Sequence, residues 1–109
     1  MLTRIADIQL YMGLTPEVAD CYAAKTFLES VQVKYTPYMY TDPAQHAANF
    51  EAISSWKLEG APEVLDKFPF VIYTEIHDDL EPSQYPRKCI YGLDAIKSSG
   101  IAELYKTGR

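Results

Sequence analysis

The stretch Asp66-Lys67-Phe68-Pro69-Phe70-Val71-Ile72-Tyr73 decides how the rest of the chain is interpreted. The residues after Pro69 are apolar, aromatic or β-branched, which is the composition of a buried strand. Proline has no backbone N–H to donate to a strand ladder, so in a sheet it is confined to edges, bulges or the first residue of a strand. The sequence therefore predicts a central strand that begins at Pro69.

A strand and a helix are predicted at the start of the chain. Apolar and polar residues alternate around Ile8, which predicts an opening strand. Thr15 and Pro16 then form a helix start, because the hydroxyl can accept from a first-turn amide and proline in the first position loses no helical hydrogen bond. The apolar face of this helix runs over residues 18–31 and includes or borders Cys21.

A second strand and a second helix are predicted before the central strand. Residues 33–40 alternate as a strand does, but Pro37 within them predicts an edge position. Asp42 and Pro43 repeat the helix-start pattern, with the aspartate as the cap, and helical spacing continues to about Leu58.

The last third of the chain is predicted to hold a hairpin and a final helix. Residues 74–86 are rich in turn formers and acids, which favours a long acidic hairpin tip before a returning strand at 88–91. Asp94 is expected to cap the last helix, which Ser98-Ser99-Gly100 interrupts. The order is β-α-β-α-β-β-α, an α/β fold with a central four-stranded mixed sheet flanked by helices, in one domain over residues 1–109.

The composition and charge of the chain argue against several classes of function. The 109 residues carry a net charge of -5 and two distant cysteines, which fits neither a nucleic-acid surface nor a disulfide framework or zinc site. His46 and His77 have no partners at metal-ligand spacing, so surface or capping roles are expected for both and no metal is predicted. No signal peptide or membrane span is recognised, and we expect a cytoplasmic protein.

Several segments resemble the glutaredoxin branch of the thioredoxin fold. They are Ala24-Lys25-Thr26-Phe27-Leu28-Glu29, Phe68-Pro69-Phe70-Val71-Ile72, Gly92-Leu93-Asp94 and Ser99-Gly100-Ile101-Ala102-Glu103-Leu104. In that family the proline is cis and the residue before it offers backbone groups to an extended substrate, so the resemblance implies these roles for Pro69 and Phe68. It also aligns Asp94 with the acid that, in glutathione-binding relatives, holds the γ-glutamyl amine, with a simple N-cap as the alternative.

The resemblance also locates the family's Cys-x-x-Cys at the start of the first helix, where backbone amides and the helix dipole stabilise a thiolate. Counting back from Ala24-Lys25 places Val18-Ala19-Asp20-Cys21 there, and counting from the helix start places Thr15-Pro16-Glu17-Val18. Neither segment holds two cysteines, so ordinary dithiol exchange is not expected. Cys89 is expected to be inert.

Three functions remain open from the sequence. The first is a non-catalytic protein- or peptide-binding module that uses a groove beside Pro69, with Thr15, Phe68 and Asp94 as further binding residues. The second is a glutathione-linked thiol-disulfide oxidoreductase that uses Cys21 alone, with glutathione as the candidate cofactor. The third is a dimerising structural domain. We expect a monomer or a weak homodimer.

Overall fold

The computed structural model describes residues 2–13, 18–56, 58–63 and 65–107. Its elements, in chain order, are β1 (Leu2–Gly13), α1 (Val18–Ser30), β2 (Thr36–Tyr40), α2 (Pro43–Ser54), β3 (Phe70–His77), a 3₁₀ turn (Pro82–Gln84), β4 (Arg87–Tyr91), α3 (Leu93–Ser98) and α4 (Ile101–Thr107). Thr15, predicted as a helix start and binding residue, lies outside the described residues.

The strands form one mixed sheet in the order β2-β1-β3-β4. β1 pairs with β2 in parallel and with β3 antiparallel, and β3 pairs with β4 antiparallel. Pro37 lies on the outermost strand, where a missing N–H is tolerated. The sheet and its flanking helices confirm the predicted fold class.

Several predicted element boundaries are wrong. β3 begins at Phe70 rather than Pro69 and continues to His77, so the hairpin tip before β4 is shorter than predicted. β2 begins at Thr36 rather than Val33, because Val33 donates its N–H to Leu28 at 3.0 Å and so belongs to the turn that ends α1. Gln32 in that turn has a φ of 61°, the left-handed conformation that often closes a helix. α2 ends at Ser54 rather than near Leu58, which instead packs against the core from the following loop.

The core lies on both faces of the sheet near Pro69. Leu10, Tyr11 and Met12 are all buried, and successive strand residues point to opposite faces, so both faces are covered there. The Phe50 ring of α2 packs against Phe70, which places α2 on the face that Tyr11 and Phe70 share. The opposite half of β3, from Thr74 to His77, is only partly buried.

The outer edge of β4 is not left open. Glu59 forms a parallel bridge with Lys88, accepting from the Cys89 N–H at 2.8 Å and donating to Arg87 at 3.4 Å. The Lys88 ammonium also pairs with the Glu59 carboxylate.

Among the helices that the structure describes, none is both long enough and apolar enough to cross a membrane.

Candidate functional site

Cys21 is the fourth residue of α1 and lies inside the core. None of its surface is exposed, and the Gly13 N–H donates to its Sγ at 3.5 Å. A disulfide partner could therefore reach the sulfur only after the packing around it opens.

Cys89, the other cysteine of the chain, is buried on β4 with 4% of its surface exposed. Burial raises the pKa of its thiol to about 12, so the thiol is protonated at neutral pH. The inert role predicted for Cys89 agrees with this environment.

Phe68 and Pro69 are joined by a cis peptide bond and are both buried. Phe68 is 3% exposed, and its ring lies 4.7 Å from the Phe50 ring and 5.1 Å from the His46 ring, centroid to centroid. A Cβ at Gly13 would come within 2.5 Å of the Phe68 ring, so the glycine makes room for it. Phe68 is thus a core anchor, and its binding role stays a prediction.

His46 was expected on the surface or at a helix cap, and that expectation is wrong. It is 7% exposed, and its Nε2 lies 2.7 Å from the Tyr40 carbonyl oxygen. The sequence signal was present: His46, Phe50 and Ile53 follow helical spacing and form the inward face of α2.

Asp94 does not cap the last helix. α3 begins at Leu93, and its N-cap position is Gly92, whose φ of 93° suits glycine. Asp94 is instead the exposed second residue of α3, so its carboxylate faces outward beside the helix start.

An open groove of about 570 Å³ lies between the starts of α1 and α3. We call it the acidic groove. It is lined by Asp20, Tyr91, Gly92, Leu93, Asp94 and Ala95. Gly92 donates its N–H to the Pro69 carbonyl at 2.9 Å, so the groove adjoins Pro69 although the proline itself is covered. Asp20 was missed as a binding residue, since only the packing of α1 near α3 brings it to Asp94.

Tyr91, which lines the acidic groove, connects β4 to the loop before Phe68. Its hydroxyl donates to the carboxylate of Asp66, in the loop before Phe68. Burial, and then this hydrogen bond, raise the pKa of Tyr91 to about 12. The end of β4 is therefore hydrogen-bonded to the loop that carries the cis proline.

Within the described ranges, no group of three or more His, Cys, Asp or Glu side chains could hold a metal ion.

The sequence matches no family model and no curated protein. A crystal structure of glutaredoxin 1 from Francisella tularensis, complexed with cacodylate, is similar to this chain with a TM-score of 0.64. The likeness covers 88% of this chain and 92% of that one, at 16% sequence identity.

The chain has a glutaredoxin-like fold. At this identity the likeness concerns the fold, so the chemistry must be argued from the residues present. In the glutaredoxin-like fold of this chain, the described start of α1 presents Asp20 to solvent and Cys21 to the core.

Proposed function

We propose that this chain is a non-catalytic binding module that holds an extended peptide or protein segment in the acidic groove beside Pro69. The observation that carries the proposal is the burial of both cysteines of the chain. Thiol-disulfide exchange needs a thiolate that can approach a disulfide sulfur. Both sulfurs are covered in the folded chain, which supports a binding role over exchange.

The charge of the acidic groove argues for a basic ligand. Asp20 and Asp94 carry its charges, and none of the described residues that line it is cationic. A lysine, arginine or amino-terminal group would be attracted there, whereas a carboxylate would be repelled. Glutathione carries two carboxylates at neutral pH, so it fits this groove less well than a basic peptide does.

Binding of a short, unstructured, lysine-containing peptide tests the proposal. We expect saturable binding by calorimetry that weakens as salt is added, because the contacts are exposed charges. The double variant Asp20→Asn with Asp94→Asn should bind about tenfold more weakly, since exposed ion pairs contribute roughly 0.5–1 kcal/mol each. Glu103→Gln on α4 removes an exposed charge away from the groove and should bind as the original chain does.

A turnover assay separates this proposal from the redox alternative. The reduced chain is given a small disulfide, glutathione and a glutathione reductase couple, and consumption of reductant is followed. We expect no turnover above that of the Cys21→Ser variant. Turnover that disappears in Cys21→Ser would replace the binding module with an oxidoreductase.

A further inference from the structure

A second depression lies on the half of the sheet farthest from Pro69. It is an open cleft of about 560 Å³ whose floor includes Ala6 of β1 and Thr74 of β3. Pro82, Ser83 and Tyr85, from the turn that joins β3 to β4, form one wall. We call it the sheet cleft, and it shares no lining residue with the acidic groove.

A bulge in β1 assembles the floor of the sheet cleft. Ala6 pairs with Thr74 and Gln9 pairs with Ile72, so β1 has one residue more than β3 between these two pairs. Asp7 within the bulge has a φ of 53°. Directly opposed residues share a face, so Ala6 and Gln9 both lie on the face of Thr74. Without the extra residue, alternation would turn Gln9 to the opposite face.

Arg87 is fixed at the edge of the sheet cleft. It pairs directly with Thr74, and its guanidinium carbon lies 4.9 Å from the centre of the Trp56 ring. The attraction between the cation and the aromatic face restrains the guanidinium group, and its several N–H donors can still bind a ligand. Among the described residues, Arg87 forms no ion pair.

Other hydrogen-bond donors share the sheet cleft with Arg87. The Tyr11 hydroxyl donates to Gln9 Oε1 at 2.6 Å, which leaves the amide nitrogen of Gln9 as the end that can donate. The hydroxyls of Thr74 and Ser83 also line the cleft. The positive charge of Arg87 acts on this region too: it lowers the pKa of Tyr11, which burial raises to about 12.

The charges of the sheet cleft indicate the charge of its ligand. Asp7 lines the cleft, and Arg4 is paired directly opposite Ile76, so it lies on the same face of the sheet outside the lining residues. Among the lining residues the Arg87 guanidinium and the Asp7 carboxylate balance, so the cleft suits a single negative charge on its ligand better than a polyphosphate. The planar guanidinium fork matches the two oxygens of a carboxylate.

We propose that the sheet cleft binds small monocarboxylates that have an apolar body. The carboxylate binds to Arg87 and the Gln9 amide, and the apolar body lies against Ile76 and Tyr85. This site is separate from the acidic groove and does not depend on the proposed function of the groove.

Titration of the ¹⁵N-labelled chain with benzoate tests the site, with benzamide as the neutral isostere. We expect saturable amide shifts confined to residues 6–9, 72–76 and 82–88. Arg87→Gln should weaken benzoate binding by at least about tenfold, since it removes a charge-assisted hydrogen bond. Lys97→Gln on α3 removes the same charge elsewhere and should leave binding unchanged.

The amide spectrum also reports whether Arg87→Gln is folded. Should that variant unfold, Arg87→Lys and Gln9→Glu provide the same test, because each keeps most of the packing but removes the fork or the amide donor. The proposal is overturned if benzoate does not saturate, if benzamide binds as tightly, if inorganic phosphate binds more tightly, or if these variants bind like the original chain.

Discussion

Cys21 and Gly13 pack against one another at the end of β1, and the thiol is fully buried, so its reactivity depends on how often the surrounding core opens. Phe68 fills the space on another side of Gly13. The glycine thus connects the buried sulfur to the aromatic anchor beside the cis proline.

Both thiols should be protected in the folded chain. We expect an aromatic disulfide reagent to label Cys21 and Cys89 at least about 100-fold more slowly in buffer than in denaturant, because each label requires local opening. Absorbance of the released thiolate gives the rates, and the single variants Cys21→Ser and Cys89→Ser assign them. Labelling of Cys21 in buffer at the denatured rate would contradict its buried position.

Gly13→Ala should destabilise the chain by about 1–3 kcal/mol, the usual cost of overpacking a core. The added methyl would lie 2.5 Å from Phe68 Cδ2, and the ring would have to move. Urea unfolding of Gly13→Ala, Phe68→Leu and the double variant measures the coupling between the two positions. We expect the alanine to cost less when residue 68 is leucine; purely additive losses would mean that the ring is not the obstacle.

Among the helices, α2 and α3 start in different ways, although the sequence predicts an aspartate cap for both. The Asp42 carboxylate accepts from the Ala44 N–H at 2.9 Å and Pro43 follows in the first turn, as the sequence predicts. α3 starts from Gly92 instead, which leaves Asp94 inside the first turn.

Asp42→Ala should therefore lower the free energy of unfolding by about 1 kcal/mol, the usual cost of losing an N-cap. Asp94→Ala should cost clearly less, because that carboxylate caps no amide and acts only through the helix dipole. Chemical denaturation of the two variants in parallel measures both losses. Equal losses would show that Asp94 does more for α3 than its position implies.

Local sequence patterns predicted the helices and strands, whereas tertiary packing decided which of their side chains are exposed. Pro37 and Pro69 restrict the backbone wherever they occur, so the edge strand and, to within one residue, the start of β3 could be predicted from them. The acidic groove could not be predicted, since Asp20 and Asp94 meet only once α1 and α3 have packed. The burial of Phe68 likewise depends on a distant glycine, for which the local sequence gives no signal.

For the whole molecule, buried and partly buried tyrosines set the response to alkali. The pKa values of Tyr11, Tyr35 and Tyr91 are each raised to about 12, mainly by burial. An unfolded tyrosine titrates near 10, so above that pH the folded state holds more protons than the unfolded state. Their contribution to stability is complete below about pH 10 and is lost as pH rises through about 12.

We therefore expect the free energy of unfolding to fall steadily between about pH 10 and 12. Urea unfolding at several pH values measures the fall, and the tyrosinate absorbance near 295 nm should show part of the tyrosines titrating later in buffer than in denaturant. The variant Tyr11→Phe should fall less steeply, and the exposed Tyr22→Phe provides the control. A stability that is flat over this range would contradict the buried tyrosines.

The two edge strands of the sheet are protected from further pairing in different ways. Glu59 pairs along β4, and Pro37 removes a backbone N–H from β2. A strand from another molecule needs an unbroken row of donors and acceptors to add to a sheet. Among the described residues neither edge supplies one, so this chain gives little template for the edge-to-edge addition of strands from which fibrils grow.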